Sequence, residues 1–307
     1  MAGLRLKKIL EVVSEVRAGM DTAPRLCLVG EGVALRDAAE ALSAGAPDVV
    51  EGISASFDVL KAADIPGDAR LLRRWRVLVL VAPGCDAAQA ARIVVAARSA
   101  GVGLVALVPD RETLAGSAWL ATAQLERSRS TMSLGRPGQP KPTLQGLLAA
   151  ELDDDGIALA QRLPALRRAV ADRLVLASAR QNGVIGVVVI IPGADMPAMT
   201  ANQIRMILRI ASTYGEKLGL DRALEILSVI GTGLVFRTLA RQALDFVPGF
   251  GWAVKGAVGF TGTVALGSAA IEYFEAGAPL TPARFTKLAG TVDRFRRALP
   301  FRGVAAG

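Results

Sequence analysis

The sequence predicts an α/β domain with a mostly parallel sheet, followed by an all-α domain. Three observations carry this. From residue 25 to about 125, short apolar runs alternate with amphipathic helical patterns, as in parallel sheets with helices packed on their faces. The stretch "ERSRSTMSLGRPGQPKP" (Glu126–Pro142) is polar, rich in Gly and Pro and without apolar period, so it ends the alternation. Beyond it the patterns are helical to the C-terminus, and only "GVVVII" could be read as strand or helix.

The elements follow in order. "LRLKKILEVVSEVR" sets charges among its apolar positions and has no uncharged core, so residues 1–24 read as an amphipathic lead-in helix and not as a signal peptide. "RLCLVG" is a continuous apolar run, the mark of a strand buried on both faces, and a helix from Ala34 to Leu42 follows. "DVVEGIS" is a weaker strand candidate and "RVLVLVAP" a strong one. "CDAAQAARIVVAARSA" is a helix with Gly101 just past its end, and "GLVALVPD" is the next strand. Residues 25–125 form the α/β domain, 126–150 a linker with a connecting helix, 151–275 the helical domain and 276–307 a basic helical tail. In the second half, "DDDGIALAQRLPALRRAVADRLVLASARQNG" begins with acids that suit a helix N-terminus. Further helices are expected over Ala198–Tyr214 (ended by Gly215), Asp221–Leu244, Gly251–Phe274 and Arg284–Leu299.

Composition narrows the chemistry. The 307 residues suffice for two cores and are 52% hydrophobic but only 5% aromatic, so aliphatic side chains supply most of the burial. There is no histidine, which removes the commonest general base, Ser-His and Cys-His nucleophile pairs and every His-containing metal site. Cys27 and Cys85 are far apart and form no CxxC pair, as expected of free thiols in a reducing compartment. Cys27 sits inside an apolar strand as a small hydrophobe, whereas Cys85 follows a strand end in "VAPGCD" with no partner base in sight. The net charge is +8, and the tail from Ala276 holds six basic residues against Asp293 alone. Such a tail fits an anionic membrane face, an acidic partner or solvent.

The turn after "RLCLVG" is where a phosphate-binding loop would stand. The P-loop pattern G-x-x-x-x-G-K-[ST] wraps phosphates in backbone N–H groups, with Lys on the β and γ groups and a hydroxyl on Mg²⁺. From Gly30 the chain reads "GEGVALRD": Leu35 occupies the second glycine position, Arg36 the lysine and Asp37 the hydroxyl. Leu35 obstructs the turn, and Glu31 and Asp37 put carboxylates where phosphates belong. The Rossmann pattern is met only at Gly30 and Gly32. "DIPG" (Asp64–Gly67) loosely matches a Mg²⁺- and γ-phosphate-binding DxPG, without an apolar strand before it, and "PDRE" stands where a guanine-reading N-K-x-D would follow a strand. No cofactor is expected, GTP and Mg²⁺ included.

The segments Ala171–Gly215 and Gly231–Phe274 resemble the GTPase-associated helical domain of unknown function, the YcjF-like family. The matching positions are Pro192, Gly193, Asp195, Pro197, Thr200, Gln203, Met206, Tyr214 and Gly215, then Phe236, Arg237, Pro248, Gly251, Trp252, Lys255 and Gly256. The resemblance implies that the first half is a degenerate Era-like G domain, and it carries no catalytic activity with it. The same residues also have local readings: Asp195 as a helix N-cap, Gln203 as a hydrogen-bonding partner of a neighbouring helix, and Tyr214–Gly215 as a helix end with a C′ glycine.

Phe246–Ile271 has one charge, Lys255, in 26 residues, and Gly251, Gly256, Gly259, Gly262 and Gly267 recur along it. It is long enough for the ~20 residues that a span needs, and small residues on one face let helices approach closely in lipid. It reads equally as the central helix of a bundle. The expected function is that of a non-catalytic, membrane-associated protein on the cytoplasmic side of the inner membrane, or in the cytoplasm. The alternatives are a divergent GTPase and a soluble scaffold or nucleic-acid binder using Arg70, Arg73, Arg74 and Arg76 around Trp75. The expected partner is a membrane or membrane protein, with self-association as a homo-oligomer also open; nucleic acid and catalysis are not expected, and no substrate is indicated.

Overall fold

The structure is a computed structural model that describes residues 24–83, 85–107, 131–132, 143–188, 196–216 and 251–276, together with 11, 13 and 14. The chain forms two compact units, residues 19–170 and, separately, 1–18 with 171–307.

The first unit is built on five parallel strands: β1 (Leu26–Gly30), β4 (Phe57–Lys61), β5 (Val77–Val81), β6 (Gly103–Leu107) and β7 (Thr131–Met132). Their spatial order is β4-β1-β5-β6-β7, with Leu26 opposite both Phe57 and Val77. Counted along the chain this is the doubly wound order 2-1-3-4-5, which reverses beside β1. Every residue of β1 and β5 is buried, which explains why they read as unbroken apolar runs. Helices α1 (Gly32–Ser43), α2 (Ala69–Leu72), α3 (Ala87–Ala100), α4 (Leu144–Leu152) and α5 (Gly156–Arg162) complete the unit. Ile93, Val94 and Ala97 of α3 meet Cys27, Val29, Leu78, Leu80 and Leu104 on one face of the sheet. Helix α1 packs on β1 and β5, and α4 on β5 and β6.

Five sequence expectations change. The stretch 126–142, expected as a linker that ends the alternation, supplies β7, which pairs with β6 at the sheet edge. "DVVEGIS" is two short strands, β2 (Val49–Val50) and β3 (Ile53–Ser54), paired antiparallel. Glu51 (φ 51°) and Gly52 (φ 83°) form the two-residue turn, whose positive φ values match strand twist. A strand does precede "DIPG": β4, an edge strand whose Asp58 and Lys61 disguise it. Helix α1 starts at Gly32, not Ala34. The helix expected from Asp153 is divided, because Asp153–Asp155 form a 3-10 turn and α5 stops at Arg162. Pro164, which lacks the N–H that a continuing helix needs, opens α6 (Pro164–Val188) at a first-turn position where that N–H is dispensable.

The second unit contains the end of α6 from Ala171, then α7 (Met196–Thr213) and α8 (Gly251–Ala276). Leu174, Val175, Ala179 and Asn182 of α6, Met206, Ile207 and Ile210 of α7, and Thr263, Val264, Gly267 and Ile271 of α8 are buried. Helix α7 ends as expected: Gly215 (φ 89°) donates to Ser212 O (2.9 Å) and Glu216 N–H to Ala211 O (3.1 Å), the paired bonds of a glycine-stopped helix.

Candidate functional site

In doubly wound sheets ligands bind beyond the carboxyl ends of the strands where the strand order reverses. Here that place lies between Gly30 of β1 and Val81 of β5. The connection from β1 to α1 is a single residue, Glu31. Positions 32–37, which would wrap phosphates in a P-loop, are helix instead. Leu35 faces inward and is buried, while Arg36 and Asp37 point to solvent from the outer face. Gly30 is required by close packing: a Cβ there would sit 2.8 Å from the Val81 carbonyl oxygen.

The groups that do meet at this crevice oppose an anion. The Cys85 thiol donates to Val81 O (3.2 Å), and burial together with the nearby Glu31 carboxylate pushes its pKa up. Among the described residues no cluster of acids and cysteines could hold a metal ion. Asp64 is exposed in the 3-10 turn Ala62–Asp64 that follows β4, and a Cβ on Gly67 would meet no protein atom within 4 Å. The "PDRE" stretch lies outside the described residues. Cys27 is fully buried, its thiol pushed up to about 12 chiefly by burial and further by Asp58.

In the helical unit the structure brings several sequence-singled residues together. Asn182 on α6, Asn202 and Gln203 on α7 and Thr263 on α8 form one polar cluster. Asn182 Nδ2 donates to Thr263 Oγ1 (2.8 Å), Asn202 Nδ2 to Asn182 Oδ1 (2.8 Å), and Gln203 Nε2 to Thr263 Oγ1 (3.2 Å). Asn182 is 0% exposed, so these bonds stand where water cannot replace them. Around them the glycines of α8 admit α6 closely. A Cβ on Gly256 would lie 3.0 Å from Gly183 O, one on Gly259 2.8 Å from Asn182 O, and one on Gly267 would run into Val175. Tyr214 closes the far end: its hydroxyl donates to Glu275 Oε1 (3.0 Å) and its ring stacks on Phe274 at 5.8 Å.

Pro197 lies on α7, and Gly251, Trp252 and Lys255 lie on α8, whereas Pro192, Gly193, Asp195, Phe236, Arg237 and Pro248 fall outside the described residues. The basic tail and the helices expected over Asp221–Leu244 and Arg284–Leu299 also lie outside them. Asn182 and Asn202 were not singled out from sequence; their signal was a pair of amides at positions that the helical period otherwise makes apolar.

Phe246–Ile271 reads from sequence either as a membrane span or as the central helix of a bundle, and its part from Gly251 on belongs to α8. Among the described residues no helix is long and apolar enough to cross a membrane. Helix α8 dilutes its apolar residues with Gly, Ser and Thr and turns them against α6 and α7.

Comparison with known proteins gives one family match, in the helical part of the chain. Residues 152–295 match the profile of a domain of unknown function, DUF697. No curated protein matches the chain.

Proposed function

We propose that this chain is a non-catalytic protein that attaches to the cytoplasmic face of a membrane without spanning it, through a YcjF-like helical domain joined to a degenerate G-like domain. The observation that carries the reading is the exposed apolar end of α6: Val184 is 61% and Val188 67% exposed, with Val187 beside them. The sequence continues "VII" directly after them. Apolar surface of this kind on a helix end gains free energy by entering the lipid headgroup boundary, and the six basic residues of the tail add attraction to anionic lipid. Close glycine contacts with amide and hydroxyl bonds between helices are also how helices associate next to lipid.

Descent of the first unit from a G domain is supported by its strand order and by "DIPG" directly after β4. Loss of nucleotide chemistry is supported by the one-residue β1–α1 connection, the buried Leu35 and the carboxylate of Glu31. Two experiments test the reading. Titrating the full chain with a fluorescent GTP analogue and Mg²⁺ is expected to give no saturable signal; saturable binding overturns the nucleotide-free part and favours a divergent GTPase. Flotation with anionic vesicles is expected to carry the wild-type chain up, and Val184→Ser/Val187→Ser/Val188→Ser to reduce the floated fraction. A wild-type chain that stays at the bottom overturns the membrane part.

A further inference from the structure

At the opposite end of the sheet from the crevice, where β1, β5 and β6 begin, lies a cavity of about 330 Å³ lined by Arg25, Arg73, Arg74, Trp75, Arg76 and Gly101, with their immediate neighbours. Four arginines thus line one hollow within the first unit. The protein holds each in place without using up its donors. Arg25 Nη2 donates to Asp58 Oδ1 (2.9 Å), and Arg73 Nε to Ala100 O (3.3 Å). Arg76 Nε donates to Asp155 Oδ2 (2.6 Å), and Arg74 lies over the Trp75 ring at 3.9 Å. Arg73 and Arg76 commit Nε, so their terminal nitrogens remain for another acceptor. Arg74 commits its face, so the N–H edge remains.

Two of the four arginines are paired with carboxylates, Arg25 with Asp58 and Arg76 with Asp155, and no carboxylate is bonded to Arg73 or Arg74 in their contacts with Ala100 O and the Trp75 ring. At the end of α3, Gly101 N–H donates to Arg98 O (3.0 Å) and Val102 N–H to Ala97 O (3.0 Å), which leaves Ala100 O for Arg73 alone. The aromatic ring is not a stacking platform. Trp75 is 1% exposed, Arg74 covers its face, and its indole N–H donates to Asp58 Oδ2 (2.5 Å). A single-stranded nucleic acid would need an open ring for its bases. The hollow reads charge and not bases, and its size is at the small end of ligand pockets, which run from ~300 to ~1,000 Å³.

We infer that this arginine cleft binds a phosphate group, free in a small phosphate ester or carried by a lipid headgroup. A phosphate dianion is attracted by the clustered arginine charge, and its oxygens accept N–H bonds from the donors that Arg73, Arg74 and Arg76 keep. The inference does not depend on membrane attachment through α6, which is remote in sequence and rests on apolar side chains.

The test is calorimetric titration of the full chain with inorganic pyrophosphate at physiological salt, with co-sedimentation on phosphatidate vesicles as a second arm. Each arm is repeated with Arg73→Ala/Arg76→Ala, which leaves Ala100 O at a helix end and the half-exposed Asp155 open to water. Saturable pyrophosphate binding that weakens about tenfold or more in the variant is the expected result and identifies a free phosphate ligand. Vesicle binding lost in the variant, with no pyrophosphate binding, identifies a lipid-borne phosphate. If the alanine variant fails to fold, Arg73→Lys/Arg76→Lys keeps the charge, loses the fork and should weaken binding severalfold. Binding in neither arm, or binding equal in wild type and folded variant, overturns the inference.

Discussion

Asn182 Nδ2 lies 2.8 Å from Thr263 Oγ1, a bond from α6 to α8 made where neither side chain touches water. Thr263 also accepts from Gln203 and returns its own proton to Gly259 O (2.7 Å), so one hydroxyl serves three helices. Thr263→Val keeps the shape and removes the acceptor, leaving two amide donors short of a partner. The expected loss is about 1–3 kcal/mol in chemical unfolding of the full chain. Thr261→Val, at an exposed hydroxyl bonded to Ala257 O, should cost far less.

The glycines of α8 separate packing from propensity. A Cβ on Gly259 would press on Asn182 O at 2.8 Å, backbone that cannot step aside, whereas one on Gly262 meets nothing within 4 Å. Gly259→Ala should therefore destabilise by about 1–3 kcal/mol through overpacking. Gly262→Ala should stabilise by up to ~1 kcal/mol, the helix propensity difference. Thermal denaturation of the two variants reads the contrast in sign.

Glu31 and Cys85 give the crevice a measurable signature. The carboxylate raises the Cys85 pKa, so Glu31→Gln should lower it and increase the thiolate fraction at any pH below that pKa. Alkylation of the native protein at mildly alkaline pH should then be faster at Cys85. Cys27, pushed up to about 12 and buried, should stay unmodified in both proteins until they unfold.

Asp48 ties the β2–β3 hairpin together. It accepts from Ser54 Oγ (2.7 Å) and Ser56 Oγ (3.0 Å), and these bonds, that of Ser54 first, hold its pKa below the ordinary 3.8. A carboxylate lowered in the folded state contributes its full stabilisation above its unfolded pKa and loses it as pH falls through the folded value. Between pH values above 3.8 and values below the folded pKa, Asp48→Asn should lose less stability than wild type. Melting temperatures measured across that window check this, and the effect should be small because the half-buried side chain is still reached by solvent.

Much of the first unit was legible because its central strands are buried on both faces and its helices end at glycines such as Gly101. The edge strand Phe57–Lys61 was not, because Asp58 serves Arg25 and Trp75 and breaks the apolar run that signals a buried strand. "DVVEGIS" misled for a different reason: a turn made with a non-glycine residue at positive φ, Glu51, leaves only half of the usual turn signal. The departures from the P-loop pattern were readable at Leu35 and Asp37, while the shortness of the β1–α1 connection was not. In the helical unit the glycine stripe on α8 was visible, but not which helix fills it. That depends on Gly183, Asn182 and Val175, spread along α6 and paired with α8 only by the fold.

Membrane attachment without spanning is tested most directly by fractionating cells that express the full chain, washing the membranes first with high salt and then with alkaline carbonate. The expected result is a membrane-bound chain that the washes release, with Val184→Ser/Val187→Ser/Val188→Ser already depleted before washing. A chain that resists carbonate would contradict attachment without spanning, and a chain found wholly in the soluble fraction would contradict membrane attachment itself.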